Sequence, residues 1–476
     1  MRRPRTLPCA WWSWPSGLAV DSRRAHPHND RVTSTPFASE LAARRKAFLD
    51  RIGPGSVAIV ASAPVQIRNN DVEHPYRQDS DFFYLTGLDE PESLAVFSNV
   101  HGQHRFVLFV RPRDPERETW DGPRVGVDAA PARLGCDAAF PNAERNEKLP
   151  GYLENARTLH YSLGRDPHVD GLVLRTRDLV RRRARLGVVY PAAIVDLSST
   201  VHAMRLFKSP AEIAIMRRAA EITREAHAVA MKVARPGAFE YEVEAEMARV
   251  YRRHGAERPA YESIVGSGIN ATILHYRKND RKLEDGDLLL IDAGAELEYY
   301  ASDVTRTFPV NGKFTPAQRR IYDAVLKAQE LTIAATRTGA TLEGLHRITL
   351  RSITESLIAL GLVEGPLDQA IEKELYKPFY MHRTSHWLGM DVHDVGSYFV
   401  EVEGELKPTA RTLEPGQVLT VEPGIYIGAT TKAPAEYMGI GVRIEDDVLV
   451  TADGPDVLTR GIPKHADELE KLLAAR

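Results

Sequence analysis

The stretch that decides the fold is "LLLIDAGAELEYYASDVTRTF", residues 288–308. Its opening apolar run is typical of a buried strand, and that run leads straight into Asp292. Asp303 lies in a second run with strand character, "SDVTRTF". Burying a bare carboxylate costs roughly several kcal/mol, so both side chains need a source of positive charge. Which cation the two aspartates face is therefore the first question that the sequence raises.

The order of predicted elements around this stretch occurs twice in the C-terminal part of the chain. Ser209, Pro210 and Glu212 form a capping box with proline at the first helical position, which predicts the start of a helix. That helix opens a helix pair, which a β-rich region follows, and the same order then repeats. The segments after the first helix are 239–254, 260–310, 315–337, 341–360 and 380–450. This order predicts two halves related by a pseudo-twofold axis, with a site between them.

Each β-rich region carries two acidic residues in strand context. The first region has Asp292 and Asp303. The second has Glu422 in "LTVEPGIY" and Glu445 in "VRIEDDVLV". For Asp303 alone, an ion pair with nearby Arg306 explains the charge equally well. Four carboxylates together need about four positive charges, which two divalent cations supply.

A histidine cluster supports a metal site. His382, His386 and His393 lie within "MHRTSHWLGMDVHDVG". A single histidine on an apolar face is more often a core residue, but three so close together favour binding of metal or substrate. One imidazole with four carboxylates is an oxygen-rich ligand set that suits Mn²⁺ or Co²⁺ better than a structural zinc site. Because two such ions can share a bridging hydroxide and polarise a carbonyl, the predicted chemistry is hydrolysis.

The preceding part of the chain, residues 37–205, is predicted to be an α/β domain. The pattern indicates a helix that ends at Gly53, a buried strand over 55–62, and further strands in "SDFFYLTGL", "LAVFSNV" and "RFVLFVRPRD". Residues 206–476 would form the second domain. Residues 1–36 are Arg-rich, poor in acidic residues and broken by proline, which is typical of a disordered tail or a mis-assigned start. A mitochondrial-type transit peptide is the alternative.

Composition excludes several classes of partner. The chain has 476 residues, of which 43% are hydrophobic and 27% charged, and this suits two globular domains. Its net charge of −3 gives no reason to expect nucleic acid or an anionic membrane as a partner. The sequence has no run of about 18 apolar residues, so no membrane span is expected. Two cysteines, Cys9 and Cys136, cannot build a disulfide framework, which agrees with a reducing compartment.

Six stretches of the chain carry a family resemblance. They are "YRQDSDFFYLTGLDEPES", "IVGSGINATILHY", "LIDAGAELEYYASDVTRTFPVNGKFT", "SHWLGMDVHDVG", "LTVEPGIYI" and "GIGVRIEDDVLVT". They resemble the Xaa-Pro aminopeptidases, the aminopeptidase P type among the pita-bread metallopeptidases, over about residues 38–465. The resemblance implies an α+β fold. In that fold a pita-bread domain with pseudo-twofold helix–helix–sheet halves follows an α/β domain of the creatinase type.

The resemblance also implies a set of metal ligands. They are Asp292, Asp303, His386, Glu422 and Glu445. Asp303 and Glu445 would bridge two divalent ions, which we expect to be Mn²⁺. Asp292 would bind one ion, and His386 with Glu422 would bind the other. Glu422 would in addition take the proton of the attacking water.

Further family positions surround the substrate. His275 in "ILHY", His382 and His393 would hold the scissile carbonyl and the proline ring and stabilise the oxyanion. Tyr426 and Arg443 would support the metal ligands from behind. Without the resemblance, His275 would be interpreted as a turn histidine, Tyr426 as a core tyrosine and Arg443 as a strand-edge arginine.

The resemblance implies a homodimer or homotetramer in which the first domain covers a neighbouring subunit's site. Asp71 and Trp120 match positions that reach into that site; a loop aspartate and a half-buried tryptophan are the alternative interpretations. One departure concerns substrate binding. The family commonly has small or apolar residues after the first histidine of "HGLSH", whereas this chain has "HRTSH". Arg383 would therefore narrow the groove or contact the C-terminal side of the substrate.

Taken together, the resemblance implies an enzyme that removes the N-terminal residue from peptides with proline in second position, through attack by a metal-bridging hydroxide. A strict Xaa-Pro dipeptidase (prolidase) with the same metals is the alternative enzyme. A catalytically inactive pita-bread domain used for binding is the alternative of another class. The expected location is cytoplasmic, or mitochondrial if residues 1–36 are a transit peptide.

Overall fold

The computed structural model describes residues 35–476, with side chains from residue 38 onward, so most of the predicted tail at 1–36 lies outside the described residues. The N-terminal domain is built on a six-stranded mixed sheet. In spatial order its strands are Ala138–Pro141, Phe106–Val110, Leu94–Ser98, Ser56–Ala61, Thr158–His160 and Ala193–Val195. The strand Leu94–Ser98 is antiparallel to both neighbours, and the other pairs are parallel.

Helices cover both faces of this sheet. They are Thr35–Ile52, Ser80–Thr86, Pro115–Asp121, Gly126–Leu134, Arg145–Leu153, Pro167–Arg182 and Ser198–Arg205. The central strand is apolar on both faces, because Ala58 and Val60 pack into one hydrophobic cluster while Val57 and Ile59 pack into another. A short hairpin, Ile67–Asn69 with Val72–Glu73, has Asp71 in its turn.

The strand predicted in "SDFFYLTGL" was wrong, since Ser80–Thr86 is a helix. Its aromatic and β-branched residues are typical of strands, but the ends of the segment carry helix caps. Asp79 Oδ1 accepts a hydrogen bond from Phe82 N at 2.9 Å. At the other end, Gly87 adopts the left-handed conformation with φ 69°. The caps and the burial of Phe82 thus outweigh the strand propensity.

The C-terminal domain has the predicted order of elements twice. Its helices are Pro210–Val233, Glu240–Arg253, Pro316–Ala335, Leu342–Ala359, Leu367–Glu372 and Ala466–Ala474. The strands of its first half are Arg258–Pro259, Ile264–Ser267, Leu288–Asp292, Ala295–Leu297, Tyr300–Ala301 and Thr305–Pro309. The strands of its second half are Phe399–Val400, Thr409–Ala410, Val418–Val421, Gly424–Tyr426, Gly441–Arg443, Asp446–Thr451 and Gly454–Val457. The predicted α+β class with helix–helix–sheet halves is confirmed.

The capping box at the start of the first catalytic-domain helix is present as predicted. Ser209 Oγ accepts from Glu212 N at 3.3 Å, and Glu212 Oε2 accepts from Ser209 N at 2.8 Å. The preceding helix ends at Arg205. We therefore propose that the boundary between the two domains lies between residues 205 and 206.

Over the described part of the chain, no helix combines the length and the apolar character that a membrane crossing requires.

Candidate active site

A cavity of about 1200 Å³ opens at the meeting point of the two β-rich regions. Its walls bring together ten of the residues singled out in the sequence. These are Asp292, Asp303, His386, Glu422 and Glu445, with His275, His382, Arg383, His393 and Arg443. The five residues expected to bind metal therefore share one cavity with the three histidines expected to contact substrate.

Strand pairing explains how the four carboxylates meet. In each half, one acidic residue lies at the end of a strand, and the other stands just before the antiparallel partner strand. Asp292 is the last residue of its strand and Glu422 directly follows its strand, while Asp303 and Glu445 precede the partner strands. Because antiparallel neighbours run side by side, both carboxylates of a half reach the same end of the sheet. The halves join there, since Glu445 N donates to the Thr305 carbonyl at 3.1 Å.

The tightest group of candidate ligands joins the two halves. Among the described residues, Asp303, His386 and Glu445 each offer a ligand atom within 4.8 Å of the others. His386 Nε2 lies 3.4 Å from Asp303 Oδ2 and 3.7 Å from Glu422 Oε1. Carboxylate oxygens and an imidazole nitrogen at these separations form a mixed set of hard ligands.

The ring of His386 is oriented by its own backbone neighbour. Its Nδ1 lies 2.9 Å from the Trp387 carbonyl oxygen, which can only accept, so Nδ1 carries a proton. Nε2 is then turned toward the carboxylates. Burial by itself lowers the pKa of His386. The hydrogen bond to Asp303 and the charge of Glu422 outweigh burial and raise this pKa to about 9. The carboxylates therefore favour a cation at Nε2, whether a proton or a metal ion.

Burial makes the negative charge of this group costly. It raises the pKa of Glu422 to about 8. Burial and the charge of Asp303 raise the pKa of Glu445 well above its usual range. Burial also raises the pKa of Asp292, although Arg443 opposes it. The carboxylates of the cluster thus carry more negative charge than the single Arg443 guanidinium can neutralise. This excess negative charge and the oxygen ligands suit divalent metal ions.

A chain of hydrogen bonds runs from the carboxylates to His382. Arg443 Nη2 donates to Asp292 Oδ2 at 2.5 Å, and Arg443 Nη1 donates to the Tyr426 hydroxyl at 2.9 Å. His382 Nδ1 lies 2.7 Å from the Arg383 carbonyl oxygen and therefore carries a proton, so Nε2 accepts from Tyr426 at 2.9 Å. Burial and the charge of Arg443 lower the pKa of His382 to about 3. His382 is thus a neutral imidazole with its tautomer fixed.

Tyr261 belongs to the site but was missed by the sequence reasoning. Its hydroxyl lies 2.5 Å from Oδ1 of both Asp292 and Asp303. Burial raises the pKa of Tyr261 well above its usual range, so the phenol stays a donor. Its position just before the strand Ile264–Ser267 could have indicated this role, because that strand pairs with the strand Leu288–Asp292.

The other two predicted histidines lie on the cavity wall. His275 and His393 line the cavity without entering the tightest ligand group. The His393 ring packs edge-on against that of His386, with ring centroids 4.3 Å apart. This separation places His393 where it can contact a group bound at His386.

The predicted substrate residues are divided between the rim and the outer surface. Arg383 lies on the rim, where its Nη2 is 2.6 Å from Glu343 Oε2. Asp71 and Trp120 do not line the cavity of their own chain. Trp120 is 83% exposed, so it is free to contact another chain. Their role at a neighbouring site remains a prediction.

Known proteins with this sequence pattern were identified by comparison. The model of metallopeptidase family M24 matches residues 214–452, and that of the aminopeptidase P N-terminal domain matches 41–160. The Xaa-Pro aminopeptidase of Escherichia coli is 45% identical over 437 residues, which cover 92% of this chain and 98% of the relative. Human Xaa-Pro aminopeptidase 3 is 35% identical over 471 residues, which cover 96% of this chain and 90% of the relative.

Solved structures give the same answer. The aminopeptidase PepP of Pseudomonas aeruginosa superimposes with a TM-score of 0.89 at 50% identity, over 92% of this chain and 98% of that one. Proline aminopeptidase P II from Yersinia pestis has a TM-score of 0.88 at 45% identity, over 92% and 100%. The chain therefore belongs to metallopeptidase family M24, in its aminopeptidase P type with the matching N-terminal domain, and is a hydrolase.

Proposed function

We propose that this enzyme removes the N-terminal residue from peptides whose second residue is proline. The observation that carries the proposal is the shared cavity, in which Asp303, His386 and Glu445 converge within 4.8 Å and the three histidines stand beside them. The relatives named Xaa-Pro aminopeptidase support it. An inactive binding module is disfavoured because a set of five metal ligands would have no reason to converge in it.

Two divalent cations complete the proposed site. Asp303 and Glu445 would bridge them, Asp292 would hold one, and His386 with Glu422 would hold the other. When bound, the ions would activate a water molecule and polarise the peptide carbonyl. We propose Mn²⁺ because the donors are mostly carboxylate oxygens. One structure of the Escherichia coli relative is zinc-substituted, so metal content and metal exchange have to be measured for this chain.

Glu422 is the proposed general base. Its carboxylate lines the cavity, and burial raises its pKa to about 8. A carboxylate beside the reacting water can take a proton and later return it to the leaving proline nitrogen. Metal ions at Asp303 and Glu445 would lower this pKa again, which keeps Glu422 ionised at neutral pH.

The proposed oxyanion contact comes from His275 and His393, because both ring nitrogens of His382 already take part in hydrogen bonds, one to a backbone carbonyl and one from a tyrosine hydroxyl. His382 accepts from Tyr426 through Nε2, so this ring is held in one orientation at the cavity wall. His275 and His393 also face the cavity and would donate to the substrate carbonyl or pack against the proline ring. Because Arg443 connects Tyr426 to Asp292, the same network fixes both the metal side and the substrate side.

Proline specificity follows from the chemistry of the scissile bond. The bond before proline is a tertiary amide without an N–H, so a peptidase that binds that N–H cannot process it. A site that binds the free α-amine at the metals and the ring between histidines needs no such contact.

Cavity size favours an aminopeptidase over a strict prolidase. Pockets for drug-sized ligands measure about 300–1,000 Å³. The cavity here, at about 1200 Å³, exceeds that range, and both Arg383 and Phe399 line it. A dipeptide would leave the outer part of the cavity empty, whereas a tripeptide would reach it. We therefore propose that Arg383 contacts residues after the proline.

The assembly and the location are also proposals. We propose a homodimer or homotetramer in which Asp71 and Trp120 reach a neighbouring subunit's cavity. We propose a cytoplasmic location for this enzyme. The mitochondrial alternative, which depends on residues 1–36, is not supported; nearly all of these residues lie outside the described part of the chain.

The decisive experiment measures hydrolysis of Ala-Pro-Ala. Metal-free protein should release no alanine, and addition of Mn²⁺ should restore release. Asp303→Ala should abolish activity because it removes a ligand expected to bridge both ions. Asp323→Ala is the matched control, since Asp323 lies on an exposed helix face and pairs with Arg319. Metal content measured on the same samples should fall in the first variant alone.

Other outcomes would redirect the proposal. Cleavage of Ala-Pro without cleavage of Ala-Pro-Ala would identify a prolidase. Bound metal with no cleavage of either peptide would contradict the proposed substrate class. Absence of metal binding would favour the inactive binding module.

A further inference from the structure

A buried group of charged side chains joins the two domains behind the histidine cluster. At its centre is Arg205, the last residue of the final N-terminal-domain helix, which is only 3% exposed. Arg205 Nη1 donates to Asp81 Oδ1 at 2.7 Å. Arg205 Nη2 donates to Asp391 Oδ2 and to Asp394 Oδ1, each at 2.7 Å. One guanidinium therefore links a carboxylate of the first domain to two carboxylates of the second.

The two carboxylates of the second domain belong to one loop, residues 387–396, which we call the histidine loop. It begins directly after His386 and contains His393, and both of these histidines line the cavity. Asp391 and Asp394 stand on either side of His393 in the sequence. Whatever fixes these two carboxylates therefore fixes the backbone that carries His393.

Other residues before the catalytic domain bind the same loop. Arg77 Nη2 donates to the Met390 carbonyl at 2.8 Å, and Ser80 Oγ donates to Asp391 Oδ1 at 2.6 Å. Lys208, near the start of the catalytic domain, adds a contact from Nζ to Asp394 Oδ2 at 2.9 Å. Backbone and side-chain groups of the loop are thus held by the first domain, with Lys208 as a further contact next to the domain boundary.

Close packing leaves the loop little room to shift. A Cβ placed on Gly389 would lie 2.1 Å from Asp394 Oδ2 and 2.8 Å from Lys208 Cε. Within the loop, Asp394 N donates to the Trp387 carbonyl at 2.9 Å. The Asp394 carboxylate therefore packs directly under the loop backbone, so its position and that of the loop depend on each other.

We infer that Arg205 is a positioning residue, which holds the histidine loop so that His393 meets the substrate in productive geometry. The inference deepens the proposed function and rests on it. We draw this inference because the planar guanidinium of Arg205 binds three carboxylates in fixed directions, and a lysine ammonium cannot reproduce that geometry. A misplacement of about 1 Å at a catalytic contact can lower the rate about 100-fold.

The test compares Arg205→Lys with Arg258→Lys. Arg258 also crosses the domain junction, but its Nη2 donates to the Tyr76 carbonyl at 3.1 Å and its other contact is Glu296. Hydrogen exchange followed by mass spectrometry should show faster exchange in peptides from 387–396 for Arg205→Lys alone. With the metal-loaded enzyme and Ala-Pro-Ala, kcat/KM should fall about 10- to 100-fold in that variant.

A double-mutant cycle separates positioning from general damage. In a His393→Ala background, Arg205→Lys should lower kcat/KM no further, because its effect passes through His393. Equal losses in both backgrounds, or unchanged exchange of the loop, would overturn the inference. If Arg205→Lys fails to fold, Asp391→Asn takes its place, since it keeps the side-chain shape and removes one partner charge. An inactive wild type would refute the proposed function, and loop exchange alone would then decide the role of Arg205.

Discussion

At the residue scale, the site depends on donors that fix the direction of each ligand atom. The Tyr261 hydroxyl contacts both Asp292 and Asp303, so it sets the distance between these two carboxylates. Asp292 is expected to bind one metal ion and Asp303 to bind both. Arg443 fixes the opposite oxygen of Asp292. Residues that orient ligands in this way commonly change metal affinity by about 10- to 100-fold when they are replaced.

Tyr261→Phe should weaken metal binding without unfolding the protein. The substitution removes the shared donor and keeps the ring, so Mn²⁺ affinity is expected to fall about tenfold. Isothermal titration of metal-free protein measures the change. Tyr437→Phe is the matched control, because Tyr437 is a buried tyrosine whose hydroxyl accepts from Arg320 outside the site. Equal Mn²⁺ affinity in Tyr261→Phe and the wild type would contradict the assignment.

Asp81 provides a prediction about pH. Although burial opposes ionisation, the hydrogen bond from His202 and the charge of Arg205 lower the pKa of Asp81 well below its usual range. A depressed pKa in the folded state contributes stability that is present above the pKa of the unfolded state, about 3.9, and is lost as the pH falls below it. Asp81→Asn should therefore reduce the free energy of unfolding by about 3 kcal/mol at pH 7 and by less below about pH 4.

Urea unfolding of the metal-free protein at pH 3.5, 5 and 7 measures this dependence. The difference between wild type and Asp81→Asn should be similar at the two higher values and smaller at the lowest. Asp323→Asn, in an exposed ion pair, should differ little from wild type at any of the three. A gap that stays constant down to pH 3.5 would show that the Asp81 charge is not what stabilises the fold.

At the scale of elements, helix caps decide between helix and strand where the hydrophobic pattern alone does not. The helix pair that opens with Ser209 could be predicted, because the capping box and the proline sit at its start. The segment Ser80–Thr86 could not be predicted from residue preference, since Phe82, Phe83 and Tyr84 favour strands. Its caps were visible in the sequence, but their effect depends on burial against the rest of the domain.

Asp79→Ala should destabilise this short helix. The substitution removes the side chain that caps Phe82 N, and loss of such a cap costs about 0.5–2 kcal/mol. Urea unfolding of the metal-free protein would detect the change as a lower midpoint. Asp79→Ser is the matched variant, because serine keeps an oxygen for the cap while the ion pair with Arg165 is lost. If Asp79→Ser is as unstable as Asp79→Ala, the ion pair rather than the cap holds the segment.

Site residues could likewise be predicted from the sequence only where the local pattern makes them stand out. The four carboxylates could be predicted as a group because charged residues at strand ends stand out against apolar neighbours, whereas the choice of His386 among three histidines depended on the family resemblance. Tyr261 could not, because a tyrosine near a strand is ordinary until the fold brings Asp292 and Asp303 to its hydroxyl. Arg205 was likewise hidden, since its three carboxylate partners come from two domains.

At the scale of the whole molecule, the N-terminal domain contacts its own chain's site and carries an exposed tryptophan that we propose serves a neighbouring one. Arg205 and Arg77 bind the histidine loop of the same chain. Trp120 does not line that chain's cavity and is 83% exposed near the end of the helix Pro115–Asp121. An exposed tryptophan is costly in water, and tryptophan is enriched among residues that dominate interfaces. Each N-terminal domain would thus shape its own chain's site and cover a neighbour's.

Co-expression of two variants tests whether Trp120 completes a neighbouring subunit's site. Trp120→Ala should lower kcat/KM at least about tenfold, because truncating a central interface tryptophan costs about 2 kcal/mol or more. Asp303→Ala should be inactive yet still present an intact Trp120. In mixed oligomers, the intact tryptophan would serve the Trp120→Ala subunit, whose own ligand set is complete. Activity of the co-purified pair, selected by two different affinity tags, should therefore exceed that of either variant alone.

The control is co-expression of Trp120→Ala with a Trp120→Ala/Asp303→Ala double variant, which presents no intact tryptophan and should give no recovery. Recovery in this control would show that subunit contact, rather than the side chain, restores activity. A monomeric wild type in light scattering would refute both the assembly and this role. No recovery in the first pair, despite confirmed mixed oligomers, would mean that Trp120 acts within its own chain, because only a contribution between subunits can complement across the interface.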